Sequence, residues 1–375
     1  MTHQNLFDPS LYEDVRKPLL QASSLPPWCY TSETFYAREV DRIFMTAWHL
    51  AGRLDEIADP GDYLVHDICG ESTLIVRGDD DVVRAFANTC RHRGTRLLDG
   101  AGSCRAIICP YHAWTYDRQG NLSGLRGMEK TSDFDPAVNG LLPVRLETWC
   151  GFMFLCFDEE QSNLKDWLGN LPDEFSTCRW EDMRCTRRKD YELDCNWKIY
   201  VENAMEDYHT ATVHRASIGL QECDVMASEG QWDSIWAEAH RTLAVLPEDD
   251  VPFPHIEGLT GRNADGAYFT VVYPATFFGS TQDCMWWLQC IPKSANRMRV
   301  TIGSCFPEST VARPDFEQAV SVYYKRWDKA LPEDNDISER QQQGLHSRYS
   351  RPGRLSVHEP IVHALDNWVL DRVLD

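Results

Sequence analysis

The chain lacks the features that would direct it to a membrane or to nucleic acid. No apolar run approaches the ~20 residues needed to span a bilayer. The opening Met-Thr-His-Gln-Asn-Leu-Phe-Asp-Pro has neither the basic nor the apolar stretch of a secretory leader. Basic residues are scarce: 37 Lys and Arg stand against 58 Asp and Glu, a net charge of -21. Phosphate recognition needs clustered positive charge, which argues against nucleic acid as a partner and against docking on anionic membranes. Internal repeats and low-complexity tracts are missing too. So is any flavin or nicotinamide fingerprint, and electrons from such a cofactor would have to come through another chain.

What is present is enough for a substantial core. Of 375 residues, 43% are apolar and thirteen are Trp, which suits one large domain or two moderate ones. Fourteen Cys would mean disulfides in a small secreted chain. In a long chain without a leader they are expected to be mostly reduced, in a cytoplasmic protein.

The texture changes along the chain. Ser32 to Phe44 reads as an amphipathic helix with Ser or Thr near its start. From about 48 to 157 come short β-rich segments broken by Gly, Asp and Asn, among them 62–67, 73–77, 82–88, 106–109 and 149–157. They suggest a small β-sandwich or barrel. Beyond Asp158, helical patterns at 164–169, 316–330 and 361–374 mix with strand-like runs at 191–196, 268–273, 283–291 and 297–303. Residues 215–265 read as irregular. The fold class expected is α+β. A helical segment at 1–43 would pack on the catalytic domain, followed by a β-rich metal domain at 44–158. A helix-on-antiparallel-sheet catalytic domain would occupy 159–375.

Two motifs carry chemistry. Cys90-Arg-His92 and Cys109-Pro-Tyr-His112 each hold one Cys and one His, with sixteen residues between His92 and Cys109. Zinc could take two Cys and two His, but zinc sites more often pair Cys with Cys and His with His. One of each per half suits a Rieske [2Fe–2S] centre, in which two Cys hold one iron and two His the other. Gly94, Gly100, Gly102 and Pro110 suit tight loops, and Trp114 and Tyr116 suit shielding.

The second motif is the stretch from Asn196 to His214. His209 and His214, with a distant carboxylate, fit the two-His-one-carboxylate triad of non-haem Fe(II) sites. On a regular helix these two positions lie ~140° apart, so they can share a metal only where the helix is broken or widened. Leu331-Pro-Glu-Asp-Asn-Asp is the best source of the third ligand, with Asp334 ahead of Asp336. The same residues also read as an ordinary acidic helix start. Trp286 and Trp287 adjoin in a strand and must face opposite ways, so at most one can line a pocket.

With both motifs in view, the chain resembles the Rieske non-haem iron oxygenases. Cys90-Arg-His-Arg-Gly, Cys109-Pro-Tyr-His-Ala-Trp-Thr-Tyr and the 196–214 stretch carry the resemblance, which extends from about 30 to the C-terminus. It implies that Cys90, His92, Cys109 and His112 hold the cluster and that His209, His214 and Asp334 hold the mononuclear iron; Asn203, in the same stretch, reads either as a donor near that iron or as an ordinary helix residue. It further implies that Glu206 joins His112 of one subunit to His209 of the next, in a homo-oligomer, most simply a trimer. Most of the family has Asp at that position; Glu is a feature of the carnitine and betaine branch. The implied activity is that of a terminal oxygenase, using O2 and electrons from NAD(P)H delivered by a separate reductase. Glu206 and Gly140-Leu-Leu-Pro-Val-Arg-Leu-Glu-Thr-Trp-Cys-Gly-Phe point to monooxygenation or N-demethylation of a betaine-like quaternary ammonium compound. Hydroxylation or dihydroxylation of an aromatic acid is the alternative within the class, and a non-catalytic electron carrier the alternative outside it. Arg91, Arg93, Arg96 and Arg105 make a basic zone that could receive the electron donor.

Overall fold

The computed structural model describes residues 5–375, so residues 1–4 of the expected N-terminal segment lie outside the described residues. The chain forms two compact units, one of residues 48–161 and one of Ser162–Asp375 together with the N-terminal part up to Ala47. The first boundary falls after Ala47 rather than near 43 because the helix Glu33–Glu39 continues as a wider turn, Val40–Phe44, whose Ile43 and Phe44 are buried. Ser32 caps this helix, its side chain accepting from the Phe35 amide.

The 48–161 unit is built of antiparallel strands. A seven-stranded sheet runs His49–Arg53, Phe152–Cys156, Pro143–Trp149, Val83–Ala87, Glu71–Arg77, Asp62–Ile68, Ala101–Ser103. A small second sheet joins Ile107–Ile108, Thr115–Tyr116 and Leu122–Gly124. The apolar run within Thr73-Leu-Ile-Val-Arg is buried on both sides of the sheet. Leu74 and Val76 join a core that includes Cys90, Cys109, Trp114 and Tyr116, while Ile75 joins a second core with Met153 and Leu155. Gly102 makes no loop: it lies in the Ala101–Ser103 strand, where a Cβ would come within 3.1 Å of the Tyr63 hydroxyl.

The larger unit is a seven-stranded antiparallel sheet with helices. The strand order is Met183–Leu193, Arg297–Pro307, Met285–Ser294, Thr276–Ser280, Gly266–Val272, Trp232–Glu238, Asp224–Val225. Three of these strands, Thr276–Ser280, Trp232–Glu238 and the two-residue Asp224–Val225, fall outside the segments expected from sequence. The first is short and contains Gly279; the other two lie inside the stretch read as irregular. The helices that build the site are α1 (Trp197–Ala204), the single turn α2 (Thr210–Val213) and α3 (Ser321–Leu345). The expected helix end near Ala330 is absent: α3 runs straight through Pro332. Pro332 removes one intrahelical hydrogen bond. Burial of Trp327, Ala330 and Leu331 before it and Ser338 and Gln342 after it holds both halves in place. The N-terminal helix is tied to α1 by a fully buried ion pair, Lys198 Nζ to Glu39 Oε1 at 2.6 Å, and Trp197 Nε1 donates to the same carboxylate. No helix among the described residues is long and apolar enough to cross a membrane.

Candidate metal centres and cavity

The two Cys-His motifs fold as twin loops with one hydrogen-bond pattern. Cys90 N–H donates to the Thr95 carbonyl at 2.8 Å and Cys109 N–H to the Trp114 carbonyl at 2.8 Å. The Gly94 amide returns to the Cys90 carbonyl, and the Ala113 amide to the Cys109 carbonyl. Each loop therefore needs a left-handed residue four places after its Cys. Gly94 supplies it at φ 71°, and Ala113, despite its Cβ, at φ 57°.

The loops bring their four donors together. The His92 and His112 rings lie 4.7 Å apart between centroids, and the Cys90 and Cys109 sulfurs are hydrogen-bonding neighbours. Trp114 stacks on His92 at 4.8 Å, and the Tyr116 hydroxyl lies 3.3 Å from Cys90 Sγ. Burial works against ionising Cys109, but the Tyr111 and His112 amides outweigh it and hold the thiol below its usual pKa. His92 Nδ1 is buried with no hydrogen-bond partner among the described residues. An orphaned nitrogen beside two sulfurs, one of them more readily ionised than an ordinary thiol, is the donor set a two-Cys-two-His iron–sulfur cluster requires, and the residues fit that group. Of the basic zone nearby, Arg96 is engaged by Asp67 and Asp99, and Arg93 lies over the Tyr111 ring.

In the larger unit the sequence stretch 196–214 does break. Asn196 starts α1, its side chain accepting from the Lys198 amide, and α1 ends at Ala204. His209 and His214 then flank the single turn α2 as its two caps, which brings their rings to 5.1 Å. The distortion required by the 140° offset is thus a break on either side of one turn.

Asp334 on α3 completes the group. Ligand atoms of His209, His214 and Asp334 all lie within 4.8 Å of one another. Asp334 Oδ1 is 3.0 Å from His214 Nε2 and 3.6 Å from His209 Nε2. The opposite nitrogens are both occupied. His209 Nδ1 lies 2.7 Å from Glu206 Oε1, and His214 Nδ1 lies 2.8 Å from Glu333 Oε2. A carboxylate can only accept, so each Nδ1 carries a proton, which leaves each Nε2, the nitrogen facing Asp334, as the one that would turn its lone pair to a metal. Two imidazole nitrogens and one carboxylate oxygen facing one point are what a facial-triad iron needs, and the residues fit it. Burial disfavours charge on His214, yet Asp334 and Glu333 outweigh it and raise its pKa. The cage draws positive charge.

Sequence reasoning placed these residues unevenly. Asn203 donates to Asp334 Oδ1 at 3.0 Å, fixing the ligand carboxylate. Glu206 uses both oxygens on His209, the second accepting from its backbone amide at 3.0 Å. Asp336 stays out of the group, exposed and paired with Arg340. Glu333 was missed, as was Ser217, which donates to it. The one available signal was a second acid beside the ligand.

These groups line a cavity of about 110 Å³. Phe269, Phe277, Phe278 and Trp286 form an aromatic wall. Of the two adjacent tryptophans, Trp286 faces the cavity and Trp287 lies on the other face of the sheet, under Arg188. Each sits opposite a glycine on the next strand, Gly279 for Trp286 and Gly303 for Trp287.

A Cys2His2 loop pair in one unit and a two-His-one-carboxylate cluster in the other define a Rieske non-haem iron protein. The comparisons agree: a Rieske [2Fe-2S] domain matches residues 47–138, and the ring hydroxylating alpha subunit (catalytic domain) matches residues 180–375. The chain belongs to the ring-hydroxylating alpha subunit family. The zinc alternative falls with the Rieske match. The carnitine monooxygenase oxygenase subunit of Acinetobacter baumannii is 33% identical over 223 residues, 59% of this chain and 58% of that protein. The chain thus spans little more than half the length of the carnitine relatives it matches. The glycine betaine monooxygenase oxygenase subunit of Chromohalobacter salexigens is 27% identical over 94% of this chain and 86% of its own. A crystal structure of a quaternary ammonium Rieske monooxygenase with gamma-butyrobetaine superposes with a TM-score of 0.80 at 25% identity, covering 96% of this chain and 98% of that one. Naphthalene 1,2-dioxygenase, at 18% identity and a TM-score of 0.77, shares the fold.

Proposed function

We propose that the chain is the terminal oxygenase of a Rieske system that oxidises a betaine-like quaternary ammonium compound by monooxygenation or N-demethylation. The observation that carries this reading is the pair of histidines whose Nδ1 atoms are pinned by Glu206 and Glu333, so that both Nε2 atoms face Asp334 inside a cavity. When bound, the [2Fe–2S] cluster relays single electrons and the mononuclear iron supplies O2 activation beside the substrate.

In this reading Cys90 and Cys109 hold one iron of the cluster and His92 and His112 the other. His209, His214 and Asp334 hold the mononuclear iron, and Asn203 keeps Asp334 oriented. Glu206 keeps His209 oriented and, through lone pairs its own histidine leaves free, accepts from His112 of a neighbouring subunit. The exposed His112 ring supports that role, and with it a closed homo-oligomer, most simply a trimer. Electrons come from NAD(P)H through a separate reductase that docks near Arg91, Arg93 and Arg105.

The relatives' names support a quaternary ammonium substrate, and the aromatic wall suits one, because a cation is attracted to ring faces. The same wall would also accept an aromatic acid, which keeps hydroxylation of such an acid as the second reading. The His209→Ala variant separates oxygenase from electron carrier. An oxygenase retains a reducible cluster and yields no product, whereas a carrier would pass electrons to its partner at an unchanged rate.

A further inference from the structure

Arg326 lies on α3 eight residues before Asp334, about 12 Å along the helix axis. It is 4% exposed, and it lines the same cavity as the His-Asp cluster. A buried guanidinium is costly unless its five N–H groups are satisfied and its charge is matched. Here only Nε is provided for, donating to the Leu243 carbonyl at 3.2 Å. Neither terminal nitrogen finds a hydrogen-bond acceptor, and no carboxylate lies within 4 Å, among the described residues. Burial pushes its pKa down to about 10, with Asp334 and Glu333 acting the other way, so the group is cationic at neutral pH.

The surroundings show what the guanidinium is held for. Its carbon sits 5.1 Å from the Trp286 ring centroid, so the indole covers one face. Trp286 cannot retreat, because it lies against Gly279 so closely that a Cβ there would come within 2.1 Å of it. Packing against the indole accounts for the face of the guanidinium; it leaves the in-plane donors of both terminal nitrogens unused. Arg326 is also the one Lys or Arg among the cavity-lining residues, while Glu206, Asp207 and Asp334 line the cavity as well. The cavity therefore carries a cation at Arg326 and carboxylates around the histidines.

We infer that Arg326 binds the carboxylate of the substrate, so that this site takes a zwitterion with its acid group at Arg326 and its cationic end toward Asp334 and the histidines. The inference rests on the reading of this cavity as the substrate site and narrows it. A planar fork offering two parallel N–H donors is the partner a carboxylate fits best. The arrangement favours betaines over choline, which carries a hydroxyl where they carry the acid, and it directs the N-methyl groups toward the iron ligands.

The test compares acid with ester on the iron-loaded protein. Dissociation constants are measured calorimetrically without O2, and KM with it, for glycine betaine, gamma-butyrobetaine and benzoate, each against its methyl ester. The wild type is expected to bind at least one acid about tenfold or more tightly than its ester. Arg326→Gln should erase that preference by weakening the acid alone, with iron content and cluster absorption unchanged, and Arg326→Lys should restore part of it. Equal binding of acid and ester by the wild type, binding of no acid, or equal weakening of both by Arg326→Gln overturns the inference. Should Arg326→Gln fail to fold, the wild-type comparison still decides. An acid preference confined to benzoate would refute the quaternary ammonium reading while leaving the carboxylate role of Arg326 standing.

Discussion

Glu333 Oε2 lies 2.8 Å from His214 Nδ1, while the next residue on the same helix, Asp334, places Oδ1 3.0 Å from Nε2 of that ring. Consecutive acids on α3 thus grip the two nitrogens of one imidazole, one fixing the tautomer and the other sharing the metal position. Glu206 does for His209 what Glu333 does for His214. The difference is that Glu206 is local, three residues away on the broken helix, whereas Glu333 comes from α3.

Removing Glu333 is expected to weaken the mononuclear iron and spare the cluster. Loss of such a supporting carboxylate typically costs about 10–100-fold in metal affinity. Glu333→Ala should therefore lower the iron-to-protein ratio after dialysis while the visible spectrum of the cluster stays as in the wild type. Unchanged iron retention would show that Glu333 only anchors Ser217.

Glu206 should behave differently. Glu206→Gln keeps an acceptor for His209 Nδ1 and so keeps the iron, but it loses the charge proposed to join two subunits. Product formation should fall steeply with both metals present, read by mixing reduced protein with substrate and O2. Glu206→Asp, shorter by one methylene, moves the carboxylate by about 1 Å, and a displacement of that size can cost about 100-fold.

The two glycines beneath the tryptophans offer a matched pair. A Cβ at Gly279 would lie 2.1 Å from Trp286, and one at Gly303 would lie 2.1 Å from Trp287. Overpacking of this kind costs about 1–3 kcal/mol, so both Ala variants should melt at lower temperature. Only Gly279→Ala displaces a cavity wall, and only it should raise KM. A rise in KM for Gly303→Ala would mean that Trp287 also shapes the site.

The candidate iron-binding residues stand out in sequence because ligand chemistry restricts both residue type and spacing. Cys90, His92, Cys109 and His112 sit on twin loops whose hydrogen bonds repeat, and the repeat is visible as one Cys and one His per loop. His209 and His214 implied a broken helix, since a regular one would point them apart. Other features depend on tertiary context. Pro332 looked like a helix start, and only burial on both sides of it makes α3 continuous. Glu333 read as an ordinary first-turn acid for the same reason. Alternation showed that Trp286 and Trp287 face opposite ways, but not which face of the sheet closes the cavity. Arg326 gave no signal, because a lone Arg on an amphipathic helix reads as a solvated charge until its burial is known.

Glu202 gives the fold a pH dependence. It lies on α1, accepts from the Tyr30 hydroxyl at 2.7 Å, and faces Asp366 and Lys198. Burial raises its pKa from 4.5 to about 7, against the pull of Tyr30 and Lys198. A carboxyl whose folded pKa lies above its unfolded value stabilises most below the unfolded pKa, and that stability is lost as pH rises through the folded one. The melting temperature should therefore fall between about pH 5 and pH 8, and Glu202→Gln should flatten the fall. A melting temperature that rises over this window, or an unchanged slope in the variant, contradicts the assignment.

The central claim is that a cluster in one unit and an iron held by His209, His214 and Asp334 in the other work together on a substrate in the cavity. A single turnover tests it directly. Protein with both centres filled is reduced, freed of reductant, and exposed to O2 with a panel of betaines and aromatic acids. The account predicts an oxygenated or demethylated product from a betaine and none from the His209→Ala protein. Absence of product from every betaine and every aromatic acid, with cluster and iron both present, would contradict it.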